Sequence, residues 1–82
     1  MAAHEVTVLA RDECHLCDEA VETIERVVSD LDVSVVLKEV DVDAHPSLAE
    51  VYGTRVPYVL VDGRPKFKYR VDEASLRSLL AE

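Results

Sequence analysis

Cys14-His15-Leu16-Cys17 stands between a short apolar run and a long segment of helical periodicity, and this placement constrains the fold more than any other feature of the chain. Val6-Thr7-Val8-Leu9-Ala10 reads as a buried strand and Arg11-Asp12-Glu13 as a loop. From Cys14 to about Leu31, the residues Leu16, Ala20, Ile24, Val27 and Leu31 recur on one helical stripe, with Cys17, Val21 and Val28 beside it. Asp18, Glu19, Glu22 and Glu25 fill the opposite face, several of them where a helix N-terminus favours negative charge. The two cysteines therefore open a helix that follows directly on a strand.

That location has chemical consequences. Backbone N–H groups in the first turn of a helix lack partners and carry partial positive charge. They stabilise a thiolate at Cys14, and the thiolate is the nucleophile. Three residues on, the chain has turned almost once, so Cys17 faces Cys14 at a separation a disulfide closes. Cys14 falls at the exposed helix tip and Cys17 on the inward side, in line with Val21 and Ile24. The expected roles follow: Cys14 attacks a substrate disulfide and Cys17 resolves the mixed disulfide. Asp12, Glu13, Asp18 and Glu19 crowd the thiol and oppose its ionisation, whereas Arg11 and a protonated His15 favour it. The balance expected is a Cys14 more acidic than a free thiol, whose pKa is about 8.5.

Two other readings of the pair stand beside this one: inert cysteines at a helix start, or two ligands of a metal or iron–sulfur site. Zinc usually takes four protein ligands, and only His4, His15 and His45 are on hand to help two cysteines. His15, between the thiols on a helix, points elsewhere; His4 and His45 read as surface histidines.

The rest of the chain alternates in type. Val33 to Val42 is β-branched, and its Lys38, Glu39 and Asp41 suggest an edge strand wet on one side. Asp43-Ala44-His45-Pro46 opens a short helix through Leu48, Ala49, Val51 and Tyr52, with Gly53 as a C′ glycine. Tyr58 to Val61 is a third strand, Asp62-Gly63 a hairpin turn, and Lys66 to Arg70 the returning strand. Asp72 is placed to cap a last helix that buries Leu76, Leu79 and Leu80. The order β-α-β-α-β-β-α predicts an α/β fold: a four-stranded mixed sheet in the order 2-1-3-4 with three helices on its two faces, its first two strands parallel.

At 82 residues this is one domain, spanning 1–82. The net charge of −8 argues against a nucleic-acid partner. It is unevenly spread: residues 1–50 hold 13 acidic and 3 basic side chains, residues 51–82 hold 4 and 6. Charge runs usually mark a solvated surface; the alternative is that Arg55, Arg64, Lys66, Lys68 and Arg70 help hold an anionic thiol. No apolar stretch approaches the roughly 20 residues that span a membrane, and Val6–Ala10 is too short for a secretory core. The expected location is the cytoplasm, where a cysteine pair reads as redox-active rather than structural.

Val56-Pro57 lies before the third strand and after the helix that ends at Gly53. With it the chain resembles glutaredoxins and their small bacterial glutaredoxin-like relatives in the thioredoxin superfamily. The likeness rests on Cys14-His15-Leu16-Cys17, Asp41-Val42-Asp43, Tyr52-Gly53 and Thr54-Arg55-Val56-Pro57. It implies a thiol–disulfide oxidoreductase with a cis Pro57 facing the cysteines and a Val56 backbone that pairs with substrate. It also implies substrate-binding parts for Arg11, where many members have lysine, and for His15 and Asp72. His15 and Leu16 replace the family's usual proline and tyrosine, and no Gly-Gly precedes Asp72. Candidate substrates are therefore protein disulfides and glutathione mixed disulfides, with glutathione as a co-substrate and no bound cofactor. The expected partner is a disulfide-containing protein or glutathione, met by a monomer. The alternative is a non-enzymatic electron-relay or metal-binding module on the same fold.

Overall fold

The structure, a computed structural model, describes residues 3–81. Strand β1 spans His4–Ala10, helix α1 His15–Leu31 and strand β2 Val35–Asp41. A single 3₁₀ turn over Val42–Ala44 leads to helix α2, Pro46–Tyr52. Strands β3 (Tyr58–Val61) and β4 (Arg64–Lys68) form the hairpin, and helix α3 covers Glu73–Leu80. The sheet order is β2-β1-β3-β4, with β1 parallel to β2 and antiparallel to β3, as the sequence pattern predicts. The first strand is thus central and the polar second strand is an edge. No helix among the described residues is long and apolar enough to cross a membrane.

One sheet face carries the core. Val6 and Val8 of β1 and Val59 and Val61 of β3 alternate inward, and Ile24 and Val27 of α1 with Leu76 and Leu80 of α3 cover them. On the other face, Tyr52 at the end of α2 meets Tyr58 at the start of β3, ring centroids 4.8 Å apart. Within the spacing allowed for tilted aromatic pairs, this holds α2 against the sheet end where β1 runs out toward the cysteines.

The hairpin turn is tied back to β1. Asp62 and Gly63 both have positive φ, 53° and 81°, the mirror-image turn that Asp-Gly favours. The Asp62 carboxylate accepts the Glu5 N–H at 2.8 Å and pairs with His4 Nδ1 at 2.7 Å. His4 is therefore half-buried and structural, not the simple surface histidine expected. On α3, Glu73 takes Arg26 of α1 at 2.6 Å and Arg77 at 2.9 Å, and Arg77 also reaches Asp30 at 2.7 Å.

These contacts set an acid sensitivity. The hydrogen bond with His4, then that from Glu5, holds Asp62 below the usual carboxylate range. Arg26 and then Arg77 do the same for Glu73. A carboxyl depressed in the folded state contributes stability that is full above its unfolded pKa and is lost as pH falls through its folded one. The urea midpoint is expected to fall steadily below about pH 4.5. Asp62→Asn should reduce that slope; an unchanged slope would remove Asp62 from the account.

Three local expectations need correction. Gly53 is right-handed, with φ −55° and ψ −30°, so it is not a left-handed C′ residue. Glycine is needed there because an added Cβ would strike the carbonyl oxygen of Ala49. The returning strand runs Arg64–Lys68, two residues earlier than its alternation suggests: Arg64 pairs with Val61 directly after the turn, Lys66 is an extra residue between the pairs Leu60–Pro65 and Val59–Phe67, and Tyr69 at φ 69° ends it. Asp72 does occupy the N-cap of α3, but its carboxylate accepts the Ser75 hydroxyl at 2.5 Å and caps no backbone N–H.

Candidate functional site

β1 ends at Ala10, and Arg11–Glu13 turn the chain into α1. The turn is made by Glu13, whose φ of 54° lies in the left-handed region that side chains disfavour by roughly 1–2 kcal/mol. No glycine marks this point in the sequence. The reversal sets Cys14 as the N-cap of α1, in extended conformation, with its Sγ accepting the Cys17 N–H at 3.1 Å. A cysteine sulfur here takes the position that Ser or Asp oxygens usually fill. The sulfur is held against one of the unpaired donors of the first turn, where negative charge is stabilised.

Cys14 and Cys17 are joined by a disulfide, with their Cα atoms 5.2 Å apart. The two sulfurs differ in access. Cys14 is half-buried at the helix tip, whereas Cys17 is 3% exposed on the inward stripe beside Ala20 and Ile24.

The remaining sequence candidates fall into two groups. Val56 and Pro57 lie at the same end of the sheet as the cysteines, because Tyr58 pairs with Leu9 in the register of β1 and β3. The Val56–Pro57 peptide is cis, Pro57 is fully buried, and its carbonyl accepts the Tyr69 N–H at 2.8 Å. Arg11, His15 and Asp72, by contrast, point their polar groups elsewhere. The Arg11 guanidinium forks onto Asp43 at 3.0 and 3.1 Å and donates to the Gly53 carbonyl at 2.9 Å. It fastens the cysteine loop to the start of the 3₁₀ turn and the end of α2. The His15 ring is 88% exposed and 3.5 Å from Glu19 one turn on. Among the described residues no hydrogen bond links Asp72 to the cysteine pair.

A cavity of about 320 Å³ opens beside Cys17, between the cysteine loop, α1 and the end of β2. Its rim carries Asp12, Glu13, Asp18, Glu39 and Asp41, with Arg11 as its only cation. Glu39 and Asp41 come from the edge strand and were not among the sequence candidates. Their position follows from the parallel register, in which Glu39 pairs with Val8 and Asp41 with Ala10. Among the described residues no group of three or more His, Cys, Asp or Glu side chains is arranged to hold a metal ion.

Comparison with known proteins agrees with this geometry. A family model described as "Glutaredoxin-like domain (DUF836)" matches residues 5–81. Uncharacterized protein Rv0508 of Mycobacterium tuberculosis is 34% identical over 84 residues, which take in 99% of this chain and 87% of that protein. Among solved structures, protein XcR50 of X. campestris is 31% identical and superposes with a TM-score of 0.69 over 92% of this chain and 93% of that one. A thioredoxin of Halobacterium salinarum is 25% identical, with a TM-score of 0.64 over 96% of this chain and 73% of that one. The thioredoxin-like fold and a disulfide at the start of its first helix give the pair a thiol–disulfide redox role. The chain belongs to the glutaredoxin-like domain (DUF836) family.

Proposed function

We propose that the protein is a dithiol–disulfide exchange enzyme in which Cys14 is the nucleophile and Cys17 the resolving thiol. The observation that carries this reading is the asymmetry of the pair: a half-buried Cys14 sulfur on an α1 N–H, backed by a Cys17 sulfur closed to solvent. In the reduced protein the Cys14 thiolate attacks one sulfur of a substrate disulfide. A Cys14–substrate S–S bond forms, the substrate S–S bond breaks, and the leaving sulfur departs as a thiolate that takes up a proton. Cys17 loses its proton and attacks Cys14 Sγ. The Cys14–Cys17 bond forms and the second substrate thiol is released. Two electrons pass from the protein to the substrate, and two equivalents of an external thiol such as glutathione restore the dithiol, first through a mixed disulfide and then by leaving as their own disulfide.

The N-cap position supports a low pKa for Cys14, since thiolates at helix N-termini are stabilised. The acidic rim opposes this, and the Arg11 guanidinium is occupied by Asp43. Val56 supplies the backbone that pairs with substrate beside Pro57, a mode supported by the family resemblance and by their place at the cysteine end of the sheet. A disulfide-bearing protein or glutathione mixed disulfide is the substrate. The protein acts as a monomer in a reducing compartment, the cytoplasm, where such pairs cycle.

Limited alkylation of the reduced protein, followed by mass mapping, tests the assignment. Cys14 should react at least about 10-fold faster than Cys17. Its rate should titrate below the pKa of a free thiol. Preferential labelling of Cys17 would reverse the roles.

A further inference from the structure

The charge division along the chain becomes a division in space. The sheet order sets β2 and β4 on opposite edges, with β1 and its cysteine pair between them. Glu39 and Asp41 line the β2 side of the cysteine end. On the β4 side, Arg55, Lys66 and Lys68 line a separate cavity of about 250 Å³ together with Tyr58, Pro65 and Phe67; no carboxylate lines it, and Lys68 Nζ lies 5.4 Å from the Tyr69 ring centroid. Of the molecule's other cations, Arg11 pairs with Asp43, Arg26 with Glu73, Lys38 with Glu5, and Arg77 with Asp30 and Glu73, while Arg64 and Arg70 form no ion pair among the described residues and line other cavities. Arg55, Lys66 and Lys68 make no ion pair among the described residues. In a chain with nearly twice as many acids as bases, three unneutralised cations gathered round one cavity need a reason.

Lysine, proline and a bulge on an edge strand also prevent sheets from pairing edge to edge. That accounts for Pro65, Lys66 and Lys68. It does not account for Arg55, which lies on the loop next to Val56 and completes the same cavity from outside the sheet.

We propose that Arg55, Lys66 and Lys68 dock an acidic polypeptide segment of the protein whose disulfide is exchanged at Cys14. This rests on the exchange reading above and names the partner's chemistry. The net charge of −8 does not forbid it. The molecule is 34 Å long, and at physiological salt the Debye length is about 8 Å, so an approaching chain senses the local cations and not the whole-protein charge. Tyr58 and Pro65 line the cavity beside the cations and leave room for the apolar stem of a peptide between its carboxylates. The opposite sign of the β2 side orients the partner: its acidic flank is drawn to β4 and repelled from the rim beside Cys17.

Two measurements test this. The first is fluorescence anisotropy of a fluorescein-labelled, cysteine-free, glutamate-rich peptide with the oxidised protein, which needs no exchange chemistry. It should bind roughly 10-fold tighter than a glutamine-substituted control at low salt, and the preference should fade toward 1 M salt, where the Debye length is about 3 Å. Lys66→Glu with Lys68→Glu should abolish the preference, and Arg55→Gln should weaken it. The second is the exchange rate with cystine peptides flanked by glutamate or by glutamine. The acidic peptide should react faster in the wild type and lose its advantage in the double variant. Exchange with both peptides at equal rates, together with equal binding, overturns the docking proposal and leaves the exchange reading standing. Selective binding without any exchange supports the docking surface and overturns the exchange reading. Tighter binding of an RNA oligonucleotide than of the acidic peptide also overturns the proposal.

Discussion

Cys14→Ser is expected to reduce disulfide exchange to the uncatalysed level, a loss on the order of 10³-fold or more, while Cys17→Ser is expected to run the first step and stop. The difference follows from the positions of the two sulfurs. Cys14 Sγ sits on the Cys17 N–H at the mouth of α1, where a thiolate is both stabilised and reachable. Cys17 is 3% exposed, so the sulfur it is expected to attack is one already attached to Cys14. The Cys17 variant should therefore accumulate a mixed disulfide with stoichiometry of one substrate per chain, visible by mass and released by an external thiol. If it turns over a protein disulfide at the wild-type rate, Cys17 is not the resolving group. If the Cys14 variant retains exchange, Cys17 is itself reachable by substrate and Cys14 is not the sole nucleophile. Serine preserves the N-cap hydrogen bond, so the comparison separates chemistry from helix stability.

The elements that sequence displays best are those whose causes are local. Asp62-Gly63 requires only its own two backbone conformations, and Tyr58–Val61 is an apolar run between turn signals, so both are legible from a few neighbouring residues. The cysteine pair is legible for the same reason: its function depends on a helix start and a three-residue spacing. What stays hidden depends on partners far along the chain. Arg11 looks like a cation beside a thiol, yet its partners Asp43 and Gly53 lie 32 and 42 residues away and turn it toward α2. His4 looks like a surface histidine, but Asp62 is 58 residues on. The acidic rim of the Cys17 cavity takes Glu39 and Asp41 from β2, which the parallel register alone delivers. Lys66 to Arg70 alternates as a strand should, but one inserted residue at Lys66 shifts the pairing, and Arg70 already belongs to a tight turn in which its N–H donates to the Lys68 carbonyl. Glu13 in a left-handed conformation carries no sequence signature at all.

Ile24→Ala is expected to be among the most damaging single changes that leave the redox pair intact. Ile24 is fully buried at the middle of α1, where it meets the Val6–Val8 face of β1 and the Leu76–Leu80 stripe of α3. Truncating a buried isoleucine typically costs about 2–5 kcal/mol, from lost transfer energy and the cavity left behind. A domain of this length has a total stability of only about 4–12 kcal/mol by the usual per-residue range. The change therefore consumes a large share of the whole, and for a domain this small one kcal/mol moves the melting temperature by roughly 4–8 °C. Val51→Ala is the control, since Val51 is 52% exposed on α2 and its loss should stay within about 0.5 kcal/mol. Urea unfolding of the two oxidised variants measures the difference. The functional consequence is specific, because α1 carries both the core stripe and the N–H that holds Cys14 Sγ. Loosening Ile24 should raise the alkylation rate of Cys17 in the reduced protein, as its shielding comes from the same packed face. Equal unfolding midpoints for Ile24→Ala and Val51→Ala would show that α1 is not anchored through this residue, and the shielding of Cys17 would then need another cause.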